Sequence, residues 1–512
     1  GRRILQASRI VARDERLQAI HVGNFRCGPD SFISHYVREE LLGKPYLQLE
    51  MDEHSADAGL VTRLEAFFDS VRARQEARAG SPARVGAARA ATTGARSAAR
   101  ARNEGRSPVR TLYFPYMADG AYALAAACRA CGLKAEVLPP QDARDIELGR
   151  RHTSSRECFP MICTTGSFLR KLQEPGVDPS KVSFFMPDHN GPCRFGQYNK
   201  LQRIILDRLG FAETRIVHPS NEDAYAGLTA GSGVRFRLAV WRGIVAADIL
   251  RKLLQERRPY EARRGAVEAV YRRQLEHVVR CIEKGGGRIQ EVLKEACADF
   301  SRVELNRGKR KPVISVTGEI FMRDNPFCSG DLVKKLERLG AETLMSPVRD
   351  WISYSTWRFT RDSRRKGSVW GFARSKVQGL LQRVIEEGLA RTAEKGGAEM
   401  HRDIRLDAML DLCMPYLQRD YDGEPAITMG AIAGQCRTGI SGVVHILPFT
   451  CLPGTLISAL SPGFSQDHDG IPWINIAYDG QEEASVETRL QAFVYRAQEY
   501  ARRKGYDAPR EW

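Results

Sequence analysis

Short apolar runs alternate with longer amphipathic segments along most of the chain. Ala19–Phe25, Thr111–Pro115 and Val182–Met186 have the length and composition of buried strands, and apolar residues recur at helical spacing after each of them. Such alternation is typical of parallel sheets that are covered by helices on both faces. The pattern therefore predicts an α/β fold.

Long amphipathic helical segments without a strand signal interrupt this alternation over residues 236–305. The alternation resumes at Pro312 with the run VISVTG, stops again over the mostly helical residues 363–419, and returns with predicted strands at Gly442–Leu447 and Trp473–Ala477. We therefore expect two α/β regions that are joined by helices.

Two internal repeats indicate that these regions are related. HVGNFRCGPDSFIS, which contains Cys27, matches HILPFTCLPGTLIS, which contains Cys451, and residues 111–140 match residues 313–347 with a longer loop around Cys328 in the second copy. Because a repeat assigns equivalent positions within one chain, we predict that Cys27 and Cys451 are structural equivalents. The predicted architecture is two pseudo-repeated, doubly wound parallel-sheet lobes with helical connectors, and cysteines face the cleft between the lobes.

These patterns divide the chain into five regions. Residues 1–70 form a Cys-loop α/β unit, which is either the end of a preceding domain or part of the second lobe. A disordered Arg/Ala/Gly linker follows at 71–110, the first lobe with Cys158 and Cys193 at 111–235, a helical connector at 236–311, and the second lobe with a helical insertion and Cys451 at 312–512. Because the chain starts at Gly1 in what resembles mid-domain sequence, we expect further chain before it.

The net charge of +16 suggests nucleic-acid binding, but its distribution argues against this. Residues 71–110 hold ten Arg against two Glu, so half of the excess lies in a segment that has no aromatic residues to stack on bases. We interpret this segment as a solvated spacer and expect no nucleic-acid partner, with an RNA-binding or membrane-surface tail as the alternative. No apolar run has the length that spans a bilayer, so no membrane association is expected.

Twelve cysteines without a signal peptide or dense short spacing indicate reduced cytosolic thiols rather than disulfides. Cys-x-Pro occurs four times, at Cys27, Cys158, Cys413 and Cys451, and proline suits the first turn of a helix. Cys193 follows a predicted strand and precedes a helix. Ligands collect at such positions in open α/β sheets, and the helix N–H groups favour a thiolate.

An iron–sulfur cluster uses thiolates from separate loops, although neither the ferredoxin spacing nor a paired zinc pattern is present. We predict that Cys27, Cys158, Cys193 and Cys451 converge on one cavity between the lobes as cluster ligands. Two further cysteines stay open as additional ligands: Cys163 and Cys328. Four are interpreted as packing residues: Cys128, Cys131, Cys281 and Cys297.

His189 is the candidate for proton transfer near the cluster, with a turn-stabilising role as the alternative. The chain has no P-loop, HExxH or GxSxG motif, so nucleotide, zinc-protease and α/β-hydrolase chemistries have no sequence support.

Eight motifs together carry a resemblance to a known family. They are FRCGPDSF, MDEHSADAGLVTRLEAF, YFPYMADGAYALAAA, SSRECFPMICTTG, FFMPDHNGPCRFGQYNKL, TGEIFMRDNPF, ILPFTCLPGTLISAL and IAYDGQEEASVETRL. The chain resembles the C-terminal half of the large acyl-CoA dehydratase activase-related proteins. These look like a fusion of an actin-like ATPase activator with the iron–sulfur subunit of the 2-hydroxyacyl-CoA dehydratase, benzoyl-CoA reductase and double-cubane cluster group.

The resemblance implies a cytoplasmic iron–sulfur protein of anaerobic metabolism, active in ATP-coupled low-potential electron transfer or reductive acyl-CoA chemistry. It implies a [4Fe–4S] or double-cubane cluster on Cys27, Cys158, Cys193 and Cys451, whereas Cys328 stands where we expect the family to hold another residue. The implied partners are an ATPase activator of actin-like fold, which has no counterpart in this chain, and an acyl-CoA substrate. A homo-oligomer stays open. The alternative is a non-catalytic module of a larger activase protein that binds a cluster and docks a partner.

Overall fold

The computed structural model has the α/β architecture that the sequence predicts. It describes residues 1–24, 28–41, 43–51, 57–79, 110–154, 156–189, 191, 193–219, 233–306, 308–396, 400–401, 403–480 and 485–508. The chain divides into two compact units. The small unit is Gly1–Arg110 with Ser154–Glu157, and the large unit is Thr111–Thr153 with Cys158–Trp512.

The small unit contains two parallel strands and three helices. They are α1 (Arg2–Arg13), β1 (Ala19–Asn24), α2 (Gly28–Glu40), β2 (Tyr46–Met51) and α3 (Asp57–Ala79). The sequence analysis did not predict α1. Helix α3 continues to Ala79, into the range expected to be linker, because its last turns consist of good helix formers. The rest of that range, residues 80–109, lies outside the described residues.

The first sheet of the large unit has four parallel strands in the order β4-β3-β5-β6. Its elements are β3 (Thr111–Phe114), α4 (Gly120–Ala130), β4 (Ala135–Val137), α5 (Ala143–His152), α6 (Phe159–Leu172), β5 (Val182–Phe185), α7 (Tyr198–Arg208) and β6 (Arg215–Val217). Gly132 ends α4 with a φ of +82°, the left-handed conformation that suits glycine after a helix.

Three helices follow the first sheet: α8 (Gly233–Arg257), α9 (Ala266–Glu283) and α10 (Ile289–Ser301). They were expected to be a connector, but they belong to the main apolar core. Trp241, Val245 and Leu250 of α8 share one buried cluster with Leu112 and Phe114 of the first sheet. The helices therefore cover this sheet as well as joining it to the second one.

The second sheet is also parallel, in the order β10-β9-β7-β8. Its elements are β7 (Val313–Gly318), α11 (Ile320–Asp324), α12 (Leu332–Arg338), β8 (Glu342–Met345), α13 (Val348–Arg365), α14 (Val369–Lys395), α15 (Leu406–Leu412), α16 (Glu424–Arg437), β9 (Gly442–Pro448), α17 (Leu452–Asp467), β10 (Trp473–Tyr478) and α18 (Ser485–Lys504). No helix in the described part of the chain has the length and apolar character needed to cross a membrane.

The two sheets repeat one topology, which confirms the predicted pseudo-repeat of the lobes. The order β8-β7-β9-β10 corresponds strand by strand to β4-β3-β5-β6. The helices before the third strand also correspond: α6 has Pro160 and α16 has Pro425 in the first turn. Both pack tightly on a short neighbour, since a Cβ at Gly166 would lie 1.8 Å from Asp145 O and one at Gly430 would lie 1.9 Å from Met409 O.

Candidate functional site

Three cysteines lie where the corresponding strands and helices of the two sheets end or begin. Cys193 follows β5 and Cys451 follows β9, so these two occupy equivalent places in the two lobes. Cys158 is the residue before the first turn of α6. The carboxyl ends of parallel strands form one edge of each sheet, and this edge is the usual ligand-binding edge of open α/β proteins.

Cys193 lies near each of the other two thiols. Cys158 and Cys451 are buried, and Cys158 Sγ lies 2.6 Å from the hydroxyl oxygen of Tyr198. Burial raises the pKa of the Cys193 thiol to about 12, and the nearby Cys158 adds to this effect. Burial also raises the pKa of Cys451 far above its usual range, with Cys193 as the next cause. The structure thus brings Cys158, Cys193 and Cys451 together.

A backbone N–H acts on Cys193 in the expected direction, but it does not determine the protonation of the thiol. The backbone N–H of Phe195 lowers the pKa of Cys193, as expected, but burial outweighs that hydrogen bond. The Cys193 thiol therefore keeps its proton at neutral pH unless a metal ion replaces it.

Arg194 places a positive charge among the three thiols. It is buried, and its Nη2 donates to the carbonyl oxygen of Thr450 at 3.0 Å. Burial lowers the pKa of Arg194, but the opposite effect of nearby groups is larger, so the pKa lies above its ordinary value. These groups are, in order of effect, Cys158, Tyr198, Cys451 and Cys193. Arg194 thus joins the Cys193 loop to the Cys451 loop and supplies a counter-charge for thiolates.

Thr450, which accepts this hydrogen bond, has a strained backbone. Its φ is +61°, a left-handed conformation that β-branched residues rarely adopt. Such strain costs on the order of 1–3 kcal/mol and is concentrated at functional sites. The strained residue lies directly before Cys451, which precedes the first residue of α17.

Two carboxyl groups of the second lobe complete the site. Glu319 follows β7, and its side chain accepts a hydrogen bond from the N–H of Met322 at 2.9 Å. Glu424 is the first residue of α16, and its buried Oε1 has no hydrogen-bond partner among the described residues. Burial raises the pKa of Glu424 to about 8 although Arg323 is near, so Glu424 holds a proton at neutral pH.

These groups line a cavity of about 350 Å³, which we call the thiol cavity. Cys193, Cys451, Tyr198, Glu319 and Glu424 are among the residues that contribute polar surface to it. The other walls are mostly apolar and include Phe114, Leu124, Phe185, Val240, Ile244 and Trp351. The arrangement is a largely apolar cavity with thiols, a protonated carboxyl group and space for a small ligand.

Two of the other predicted site cysteines, Cys163 and Cys328, lie together away from these three. Cys27 lies outside the described residues. Cys163 and Cys328 are buried in an apolar cluster with Phe159 and Phe321, and their sulfur atoms lie 3.6 Å apart. Four cysteines pack in or against the core of the first lobe: Cys128, Cys131, Cys281 and Cys297.

His189 lies at the wall of the thiol cavity. Burial lowers its pKa to about 4, and Arg358 adds to this effect, so the imidazole is neutral at physiological pH. Its Nε2 is buried without a hydrogen-bond partner among the described residues. A role in proton transfer stays a prediction.

Within the described ranges, no three His, Cys, Asp or Glu side chains are close enough to share one metal ion. Comparisons of the chain with protein-family models and with curated proteins found no match.

Sequence reasoning missed Glu319, Glu424, Arg194 and Tyr198. A signal existed for the first two. Glu319 directly follows the apolar run VISVTG, at a strand end, and Glu424 precedes Pro425 much as Cys158 precedes Pro160. Matching α6 with α16 would have placed a carboxyl group of the second lobe near the position that a thiol takes in the first.

Proposed function

We propose that this chain is an iron–sulfur protein of the 2-hydroxyacyl-CoA dehydratase and reductase type, with Cys158, Cys193 and Cys451 as cluster ligands. The observation that carries the proposal is the meeting of three thiols from three chain segments beside an apolar cavity, with Arg194 among them. Cys27 stays a predicted fourth ligand. A cluster held by these residues would supply low-potential electron transfer.

The surrounding residues have distinct tasks in this proposal. Arg194 stabilises the negative charge of the thiolates, and the Tyr198 hydroxyl donates to the sulfur of Cys158. The mostly apolar walls lower the local dielectric, which strengthens these interactions. Glu424 holds a proton at the cavity wall, where a departing hydroxyl group would need one.

The cavity favours reductive acyl-CoA chemistry over the alternative of a docking module, because docking requires no chamber beside the thiols. In this proposal the electrons come from a separate ATPase activator of actin-like fold. The protein then works in the cytoplasm, where its thiols stay reduced.

Anaerobic purification followed by reduction with a low-potential donor tests the proposal. We expect the wild type to show the low-temperature electron paramagnetic resonance signal of a reduced [4Fe–4S] cluster. In an Arg194→Gln variant, this signal should be lost or the reduction potential of the cluster should become more negative. Arg203→Gln serves as the control, because its guanidinium donates to the carbonyl oxygen of Phe211 at 2.9 Å and pairs with Asp207 at 2.8 Å. A folded protein that shows no such signal after reconstitution with iron and sulfide would contradict the proposal.

A further inference from the structure

A second, smaller pocket of about 130 Å³ adjoins the thiol cavity. We call it the outer pocket. It shares Phe195, Arg237 and Trp351 with the thiol cavity, so the two spaces have a common wall. Gln378 also lines both, whereas Arg374 and Ser355 line the outer pocket alone.

Two arginines give the outer pocket a positive charge. Arg237 lies on α8 and Arg374 on α14, and the two helices are held together by a hydrogen bond from Trp241 Nε1 to Gln382 O at 2.9 Å. Burial lowers the pKa of Arg237, and the charge of Arg374 lowers it further. The two positive charges therefore repel each other across a shared space, and a bound anion would reduce this repulsion.

Neither arginine has a carboxylate partner among the described residues. The guanidinium of Arg237 donates only from Nε, to the carbonyl oxygen of Gly233 at 3.1 Å. One carboxylate, Asp188, lines the pocket, but it accepts from its neighbour's backbone N–H and lies 3.4 Å from Lys200 Nζ. The forked donors of both arginines thus stay available for an oxyanion.

The shape of the two spaces restricts the ligand. The outer pocket is small, and a hydroxyl group (Ser355) and a side-chain amide (Gln378) can add hydrogen bonds to a compact polar group. The thiol cavity behind it is larger and mostly apolar. A ligand that fills both has a charged end and an apolar end.

We propose that the outer pocket binds the oxyanion group, a carboxylate or a phosphate, of a small organic anion whose apolar part lies in the thiol cavity. This inference goes beyond the proposed function and does not depend on a cluster at the thiols. The anion binding itself is a property of Arg237 and Arg374.

Calorimetric titration with three probes of equal chain length tests the inference: hexanoate, hexyl phosphate and the neutral hexanamide. We expect one or both anions to bind at least about tenfold more tightly than the amide, and the preferred anion identifies the oxyanion. Arg374→Gln and Arg237→Gln should each weaken anion binding about tenfold or more, and Arg237→Lys should restore part of it.

Arg235→Gln is the matched control, because Arg235 is exposed on the same helix and does not line the pocket. It should change anion binding by less than about twofold. Equal binding of anion and amide, no binding of any probe to the folded protein, or equal weakening by the control would overturn the inference. Arg374 is exposed, so its variant tests the pocket even if Arg237→Gln does not fold. Iron is measured on the same samples. Anion binding without iron would contradict only the proposed cluster, and iron without anion binding would contradict only the proposed anion pocket.

Discussion

Replacing Tyr198 with Phe removes one hydroxyl group from the site and leaves the ring in place. The hydroxyl oxygen lies 2.6 Å from Cys158 Sγ, and Tyr198 is only 5% exposed, so bulk water does not take its place. Hydrogen bonds to cluster sulfurs stabilise the reduced state, which is the more negative one. A difference of about 1 kcal/mol between the two oxidation states corresponds to ~40 mV for one electron. We therefore expect the midpoint potential to fall by roughly 40 mV, with iron content unchanged.

A spectroscopic redox titration of the wild type and Tyr198→Phe measures this shift directly. Tyr416→Phe is the control, because its hydroxyl donates to Asp467, at the opposite end of α17 from Cys451. An unchanged potential in Tyr198→Phe, or an equal shift in the control, would refute the assignment of Cys158 as a cluster ligand.

Three further predictions concern the rest of the chain. Cys328→Ala should leave the iron content unchanged and cost about 1–2 kcal/mol of stability, because the thiol packs against Cys163 in an apolar cluster; a loss of half the iron would indicate a double-cubane site instead. Deleting residues 80–109 should preserve the thermal unfolding midpoint and the iron, and salt-sensitive RNA binding that disappears with the deletion would favour a nucleic-acid tail. Burial raises the pKa of Asp350 to about 8, so the folded wild type loses stability as pH rises from about 4 to 8. Asp350→Asn removes this loss, so its free energy of unfolding should exceed that of the wild type by several kcal/mol more at pH 8 than at pH 4, because one pH unit corresponds to ~1.4 kcal/mol. Free energies from urea unfolding that change with pH in parallel for the two proteins would contradict this.

Elements with a strong pattern and clear ends were predictable from the sequence. The strands Tyr46–Met51 and Val313–Gly318 and the helix Phe159–Leu172 occur as expected. Helix α16 was not predicted, because almost all of its residues are buried and it shows no polar face. Helix α5 was missed for the opposite reason, since it is short and mostly charged.

The site was predictable only as far as local sequence determines it. A cysteine after a strand and before a helix is visible in the sequence, which placed Cys193 and Cys451 at strand ends. The protonation of these thiols and of Glu424 depends on burial by both lobes, and no local motif encodes that burial. Arg237 and Arg374 are 137 positions apart in a chain rich in arginine, so only the packing of α8 on α14 reveals them as a pair.

Iron and acid-labile sulfide per chain, measured after anaerobic purification, test the central claim most directly. Cys193→Ala and Cys451→Ala are compared with Cys128→Ala, which removes a buried thiol from the core of the first lobe. We predict about four iron and four sulfide atoms in the wild type and in Cys128→Ala, and little of either in the two site variants. A folded wild type without iron, or site variants that keep the full amount, would contradict the account.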